Sequence, residues 1–262
     1  MQKIAAHHSP LKLFKTASCV SLLLPLLSIQ AEASGFAIHE QGATGSGTAL
    51  AGAAAASDDI SLSYWNPALL TNTHKTSLYI NGTYVSADFN LSNVSGTDAT
   101  TVYTSDKKGS DPGQDKFAPS IYFATPLNEK TVIGLSLNIP FAVSTEYDDD
   151  WAGRYYSTKT DVKDIALAFS GAYRLTQTID FGASVQLHHA SLNLKTAIND
   201  LDGSATYGTG EIDLDDSLSY GYSLGMRAKP RESTAFGIGY RSKIKVEHSG
   251  DATFNDISVT AQ

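Results

Sequence analysis

Hydrophobic residues recur at every second position in seven stretches of this chain. Successive side chains of a strand point to opposite faces, so a period of two predicts strands. In Asp180–Leu187 one face carries Phe181, Ala183, Val185 and Leu187, and the other Asp180, Gly182, Ser184 and Gln186. In 218–228 Leu218, Tyr220, Tyr222, Leu224 and Met226 oppose Ser219, Gly221, Ser223, Gly225 and Arg227. In 236–246 Phe236, Ile238, Tyr240, Ile244 and Val246 oppose Gly237, Gly239, Arg241, Lys243 and Lys245. Runs at 131–139 and 162–173 behave alike, and weaker ones lie at 76–86 and 117–125.

A soluble sandwich would alternate too. The connections separate the two possibilities. Those at 128–130, 176–178 and 229–233 are short, whereas those at 88–115, 144–160 and 195–217 are long and polar. Strict alternation of short and long connections is the arrangement of an outer-membrane barrel, with tight turns on one side and long loops on the other. The predicted fold class is therefore all-β, a transmembrane antiparallel β-barrel.

The N-terminus agrees. Lys3, Lys12 and Lys15 precede an apolar run from Val20 to Leu27, and Ala31-Glu32-Ala33 is a small-x-small site. This is the secretory signal pattern, and the run is shorter than the roughly 20 residues a spanning helix needs. Residues 1–33 are read as a leader cleaved after Ala33. Its removal takes away the lone Cys19, three lysines and Glu32, and leaves 16 basic against 26 acidic residues. Thiol chemistry and disulfides are thereby excluded. So acidic a chain is also a poor nucleic-acid ligand, because phosphate contacts need Lys and Arg. Seven strands is an odd number and the chain stops at Thr260-Ala261-Gln262. Bacterial barrels usually have an even number of strands, so the expected whole is longer, with residues 75–262 supplying barrel strands that are incomplete at the C-terminus.

Residues 34–74 do not alternate. They are rich in Gly and Ala, and end in Asp58-Asp59 and Tyr64-Trp65-Asn66-Pro67-Ala68. Small residues allow short helices to pack close to other backbone, as a plug would. Asn66-Pro67 is either its anchor or an ordinary turn into the first strand, since Asn bonds neighbouring backbone and Pro fixes a turn. The third strand runs into Ile139-Pro140-Phe141. Proline lacks the ladder N–H, so Pro140 marks either a kink or the strand's end.

Ser34-Gly35-Phe36, the Gly/Ala run, Asp58-Asp59 and Asn66-Pro67-Ala68 resemble the N-terminal hatch of FadL-type outer-membrane transporters. Pro140-Phe141 followed by Ser144-Thr145-Glu146-Tyr147 and Trp151-Ala152-Gly153-Arg154-Tyr155 is a second match. Tyr240-Arg241-Ser242-Lys243 with Gly250-Asp251-Ala252-Thr253-Phe254 is a third. The resemblance implies a barrel of about fourteen strands, of which this chain holds the N-terminal half and a small helical hatch. It also implies passive uptake of long-chain fatty acids or of aromatic hydrocarbons, with a lateral exit at Pro140 and Phe141. A fatty-acid carboxylate would favour a buried cation, for which Arg154, Arg227, Arg241 and Lys243 are candidates, although lumen lining alone also explains them. The expected surroundings are outer-membrane lipid and lipopolysaccharide of a Gram-negative cell, the expected state a monomer, and no cofactor or metal is expected.

Two rival readings remain. A hydrolase would need a Ser–His pair with an orienting third group, and the five histidines left after the leader sit in no nucleophile motif. A hydrophilic porin would conduct ions and sugars freely. His188 and His189, being adjacent on a strand, face opposite sides and cannot chelate one metal. Asp148-Asp149-Asp150 is an exposed acidic loop or a calcium-attracting one.

Overall fold

The computed structural model describes residues 37–56, 59–92, 94–95, 111–199, 207–216 and 218–256. Nine strands form one antiparallel sheet: β1 Ser77–Val85, β2 Lys116–Pro126, β3 Thr131–Glu146, β4 Lys159–Arg174, β5 Ile179–Asn199, β6 Tyr207–Asp216, β7 Ser219–Arg231, β8 Thr234–Arg241 and β9 His248–Asn255. Before them come α1 (Ala43–Gly47) and two 3-10 helices, Ile60–Tyr64 and Pro67–Asn72. No helix among the described residues is long and apolar enough to cross a membrane.

The nine strands follow seven lines. Asp215 pairs with Ser191 of β5, and Ser219 with His188, so β6 and β7 continue one another along β5 with one extra residue between them. Ser223 pairs with Arg241, and Asp216 with His248. Thus β8 and β9 keep one register against that line, with residues 242–247 out of the ladder. The predicted count of seven therefore holds as seven lines, and two boundaries are corrected. The run read as one strand over 236–246 leaves the ladder after Arg241. The segment read as a polar loop at 195–217 is largely strand: β5 reaches Asn199, and Tyr207–Asp216 returns along it. Part of the segment, 200–206, lies outside the described residues.

The turns at one end are made by local side chains. Asn128 Oδ1 accepts from Lys130 N and Thr131 N, both at 2.9 Å, between β2 and β3. Thr176 Oγ1 accepts from Thr178 N and Ile179 N between β4 and β5. These are the side-chain turns that Asn and Thr favour.

The two faces invert the soluble pattern. Leu78, Ile80, Phe117, Phe123, Phe169, Val185, Tyr220, Leu224, Phe236 and Ile238 stand bare on one face, 40–68% exposed. Ser120, Asn138, Asp164, Asp180, Ser184, Gln186, His188 and Arg227 are buried on the other, each below 10%. A large apolar side chain left in water forgoes about 1.5–3 kcal/mol of burial. A whole face of them belongs against lipid, whose lack of hydrogen-bonding partners demands a paired sheet. Among the described residues, 37–56 and 59–74 pack on the polar face.

Candidate functional site

Two features of the sheet meet the N-terminal segment. The first is an interruption between β2 and β3. Their ladder runs from Pro126↔Val132 to Ile121↔Leu137 and stops. Among the described residues, backbone pairing resumes at the bridge Gly113↔Thr145. On its other side β3 stays paired with β4, but its register slips by one residue between Asn138 and Phe141. The slip falls on Ile139-Pro140. Proline removes a ladder donor there, and the extra residue makes a bulge. β3 continues to Glu146, so Pro140 marks a kink and not the strand's end.

Residues 37–41 close the interruption. Ala37 bridges Phe141, and Ile38 N donates to Pro140 O at 2.8 Å. Ile38 packs with Ala118 of β2 and Ile139 of β3. Gln41, 3% exposed, ties both lips together. Its Nε2 donates to Ile139 O (2.9 Å) and to Ile38 O (2.8 Å), and its Oε1 accepts from Asn138 Nδ2 (3.0 Å). Its main-chain carbonyl accepts from Ser120 Oγ (2.9 Å) and the Tyr122 hydroxyl (2.8 Å) on β2. Gln41 is the residue of this candidate site that sequence reasoning missed, since a single Gln in a small-residue segment carries no signal.

The second feature is a seat of small residues. Gly239 pairs with Gly225, Gly225 with Gly182, and Gly182 with Ala172, a row across four strands. A β-carbon on Gly182 would overlap the Pro67–Ala68 backbone, one on Gly225 would overlap Asn66 and Pro67, and one on Gly239 would overlap the Trp65 carbonyl. The second 3-10 helix lies in this space. Pro67 opens it, where a missing N–H costs nothing, and Asn66 caps it by accepting from Ala68 N at 2.9 Å. The Asn66 Nδ2 group donates to Ala54 O (2.6 Å) and to Met226 O of β7 (3.0 Å). At the other end of this helix Arg174 Nη2 donates to Thr71 O at 2.7 Å. The upstream stretch differs: Ala49 (φ 49°) and Leu50 (φ 62°) are left-handed, a conformation costing a non-glycine residue roughly 1–2 kcal/mol.

The candidate cations separate by their partners. Arg227 bonds Asp180 through Nε (3.0 Å) and Nη2 (2.6 Å). Arg154 sits in the loop after β3, its guanidinium over the Tyr155 ring at 4.7 Å and its carbonyl accepting from Ala197 N. Lys243 is exposed in the 242–247 break. Arg241 reaches the N-terminal segment: Nη2 donates to Tyr64 O (2.6 Å), Nη1 to Gln186 Oε1 (3.1 Å), and the guanidinium lies 4.0 Å over the Tyr64 ring. Burial pushes the Tyr64 phenol up, against the opposing pull of Arg241. The candidate residues Asn66, Pro67 and Ala68 thus sit on the glycine row of the covered face, and Pro140 and Phe141 lie separately at the β3 bulge beside Ala37 and Ile38, whereas Ser34, Gly35, Phe36 and Asp58 lie outside the described residues. His188 is buried with Nδ1 2.9 Å from Asp164 and His189 is exposed on the opposite face. Among the described residues no cluster of His, Cys, Asp or Glu could hold a metal.

A family model described as "Outer membrane protein transport protein (OMPP1/FadL/TodX)" matches residues 24–261. A long-chain fatty acid transport protein of Escherichia coli O6:H1 is 26% identical over 260 residues, covering 90% of this chain and 56% of that protein. Outer membrane protein P1 of Haemophilus influenzae is 27% identical over 252 residues, covering 83% and 55%. The crystal structure of a Pseudomonas aeruginosa FadL homologue superposes with a TM-score of 0.74 at 20% identity, over 84% of this chain and 55% of that one. A monoaromatic hydrocarbon channel, CymD, gives 0.53 at 16% identity over 79% and 55%. These two show the fold, that of an outer-membrane β-barrel. The chain spans about half the length of the curated relatives it matches.

Proposed function

Since this chain belongs to the outer membrane protein transport protein (OMPP1/FadL/TodX) family, we propose that the protein is a passive uptake channel for hydrophobic compounds, long-chain fatty acids foremost. In this reading residues 34–74 are its hatch, starting at Ser34-Gly35-Phe36, and the interruption between β2 and β3 is its lateral exit. The observation that carries the reading is the missing β2–β3 ladder opposite Pro140, closed by Ile38 and Gln41 and not by strand pairing. An apolar solute that displaces residues 37–41 would find an opening lined by Ala118, Ile139 and Ala142 and would leave into lipid. Leaving water for an apolar phase is favourable by itself, so no energy source is required and no catalytic group is assigned. The bare face takes outer-membrane lipid and lipopolysaccharide, and the protein works as a monomer.

Fatty acids come first because relatives at about a quarter identity carry that name. Aromatic hydrocarbons are the second reading, favoured by the shared fold of the hydrocarbon channel. Radiolabelled palmitate and toluene uptake, compared in cells lacking and carrying the complete gene, tests the proposal. Gene-dependent uptake of either is expected, and identical rates for both solutes in the two strains would sink it. Pro140→Val tests the exit. Valine restores the N–H and favours a continuous strand, so uptake should fall severalfold at equal outer-membrane abundance. Unimpaired uptake by this variant would remove Pro140 from the route.

A further inference from the structure

We infer that the short-turn end of the barrel is a docking rim for anionic phospholipid head groups of the periplasmic leaflet, such as phosphatidylglycerol. Only the barrel fold is needed for this, whatever the barrel carries. Short turns lie at the periplasmic end of an outer-membrane barrel. In sheet order that end comprises His74-Lys75 before β1, the β2–β3 turn at 127–130, the β4–β5 turn at 175–178 and the β7–β8 turn at 232–233. Its charge runs against that of the chain, which carries a net −8. The rim exposes Lys75, Lys130, Lys229 and Arg231 against Glu129 and Glu232. None of these four cations makes an ion pair among the described residues. The pairs that do form leave them out: Arg174 and Arg227 share Asp180, Lys116 pairs with Asp161, and Lys245 with Glu247. The opposite end is acidic, with Asp148-Asp149-Asp150 after β3 and Glu211, Asp213 and Asp215 on β6.

The layout of the rim favours lipid over a soluble acidic partner. Its cations are strung from the start of β1 to the β7–β8 turn, whereas a peptide would need them gathered in one groove. Leu127 and Leu175 stand 60% and 53% exposed in two of the same turns. Next to the turns, Ile133, Tyr173, Phe181 and Phe236 belong to the bare apolar face, so the charges continue a surface that already lies against lipid. Lys and Arg lay their stems along such apolar surface and hold the charge at its polar edge. That edge is the head-group layer. An anionic lipid surface attracts each nearby Lys or Arg by about fivefold, and a zwitterionic one lacks the net charge to do so.

Electron paramagnetic resonance of spin-labelled lipids, in vesicles holding the complete protein, reads the selectivity. Phosphatidylglycerol should associate with the protein about fivefold more strongly than phosphatidylcholine at low salt. The preference should fade in about 1 M salt, where the screening length is about 3 Å. Changing all four cations together, Lys75→Gln, Lys130→Gln, Lys229→Gln and Arg231→Gln, should bring the ratio close to one. These side chains are exposed and make no ion pair, so the variant should still assemble. Lys159→Gln with Lys195→Gln, at the opposite end, should leave the ratio unchanged. A ratio that falls as far in this second variant, or stays up in the first, overturns the assignment to the rim. Should the fourfold variant fail to assemble, the parent protein decides. A preference that persists undiminished in high salt overturns the proposal. Equal association of the two lipids at low salt also overturns it and leaves the rim to an acidic soluble partner.

Discussion

Asp180→Ala is expected to destabilise the protein by roughly 3–5 kcal/mol. Asp180 is 4% exposed and so is Arg227. The carboxylate accepts two bonds from Arg227 and one from Arg174 Nε at 3.4 Å. Removing it leaves Arg227 charged, buried and without its counter-ion, which costs more than the pair itself contributes. The damage also travels. Arg174 holds Thr71 O at the end of the second 3-10 helix, so a disordered Arg174 loosens the segment on the covered face. Asp180→Asn keeps the shape and an acceptor and should lose less. Asp180→Ala combined with Arg227→Met removes both charges and should be more stable than Asp180→Ala alone. Urea unfolding of the intact protein in lipid vesicles reads all three. A loss within about 0.5 kcal/mol for Asp180→Ala, the range of an ordinary surface change, would rule out a structural charge here.

The line between what was legible in the sequence and what was not follows the range of each interaction. Phe181, Val185, Leu224 and Ile238 announced a lipid-facing surface, because each repeats a two-residue period that one strand imposes on its own. Pro140 announced a disturbance of the third strand because a missing N–H is a property of a single residue, and the continuation of β3 to Glu146 decided for the kink over the strand's end. Tyr207–Asp216 was misread as loop for the opposite reason. Glu211, Asp213 and Asp215 are interleaved with Gly210, Ile212 and Leu214, so charge outweighs the two apolar residues that keep the period. The ranking of the arginines was also hidden. Arg227 and Arg241 both fall on the polar face by parity, but only the register that sets Asp180 opposite Arg227 shows which one is neutralised. Gln41 depends on partners 79 to 98 residues away, and no local pattern encodes them.

The N-terminal segment is held unevenly, and this bears on how it could open. From Asn66 onward it is seated on glycines, capped, and tied to β7 and Arg174. Upstream, left-handed Ala49 and Leu50 lie between the gap-closing residues 37–41 and the seated helix. Strained backbone of this kind persists only where surrounding contacts impose it. The proposed hatch therefore has a fixed base and an upstream portion that gains conformational freedom when Gln41 and Ile38 let go.

Gly225→Val attacks the fixed base and should unseat the proposed hatch without breaking the sheet. Gly225 is laddered on both sides, to Gly182 and to Gly239, and valine is favoured in strands over glycine. The backbone under it has little reason to yield. Its new side chain would occupy the place of Asn66 Oδ1 and the Pro67 ring, so Asn66 must leave, and with it the bonds to Ala54 O and Met226 O and the cap on Ala68 N. Overpacking of this kind costs about 1–3 kcal/mol, borne here by the segment and not by the strands. The variant should still assemble in the outer membrane, and, on the proposed reading of this segment as a hatch that blocks the lumen, show raised ion conductance in planar bilayers. Asn66→Ala removes the same three bonds without filling space, and should raise conductance less. If Gly225→Val assembles and conducts no more than the parent protein, the segment seated on Gly182, Gly225 and Gly239 is not what closes the pore.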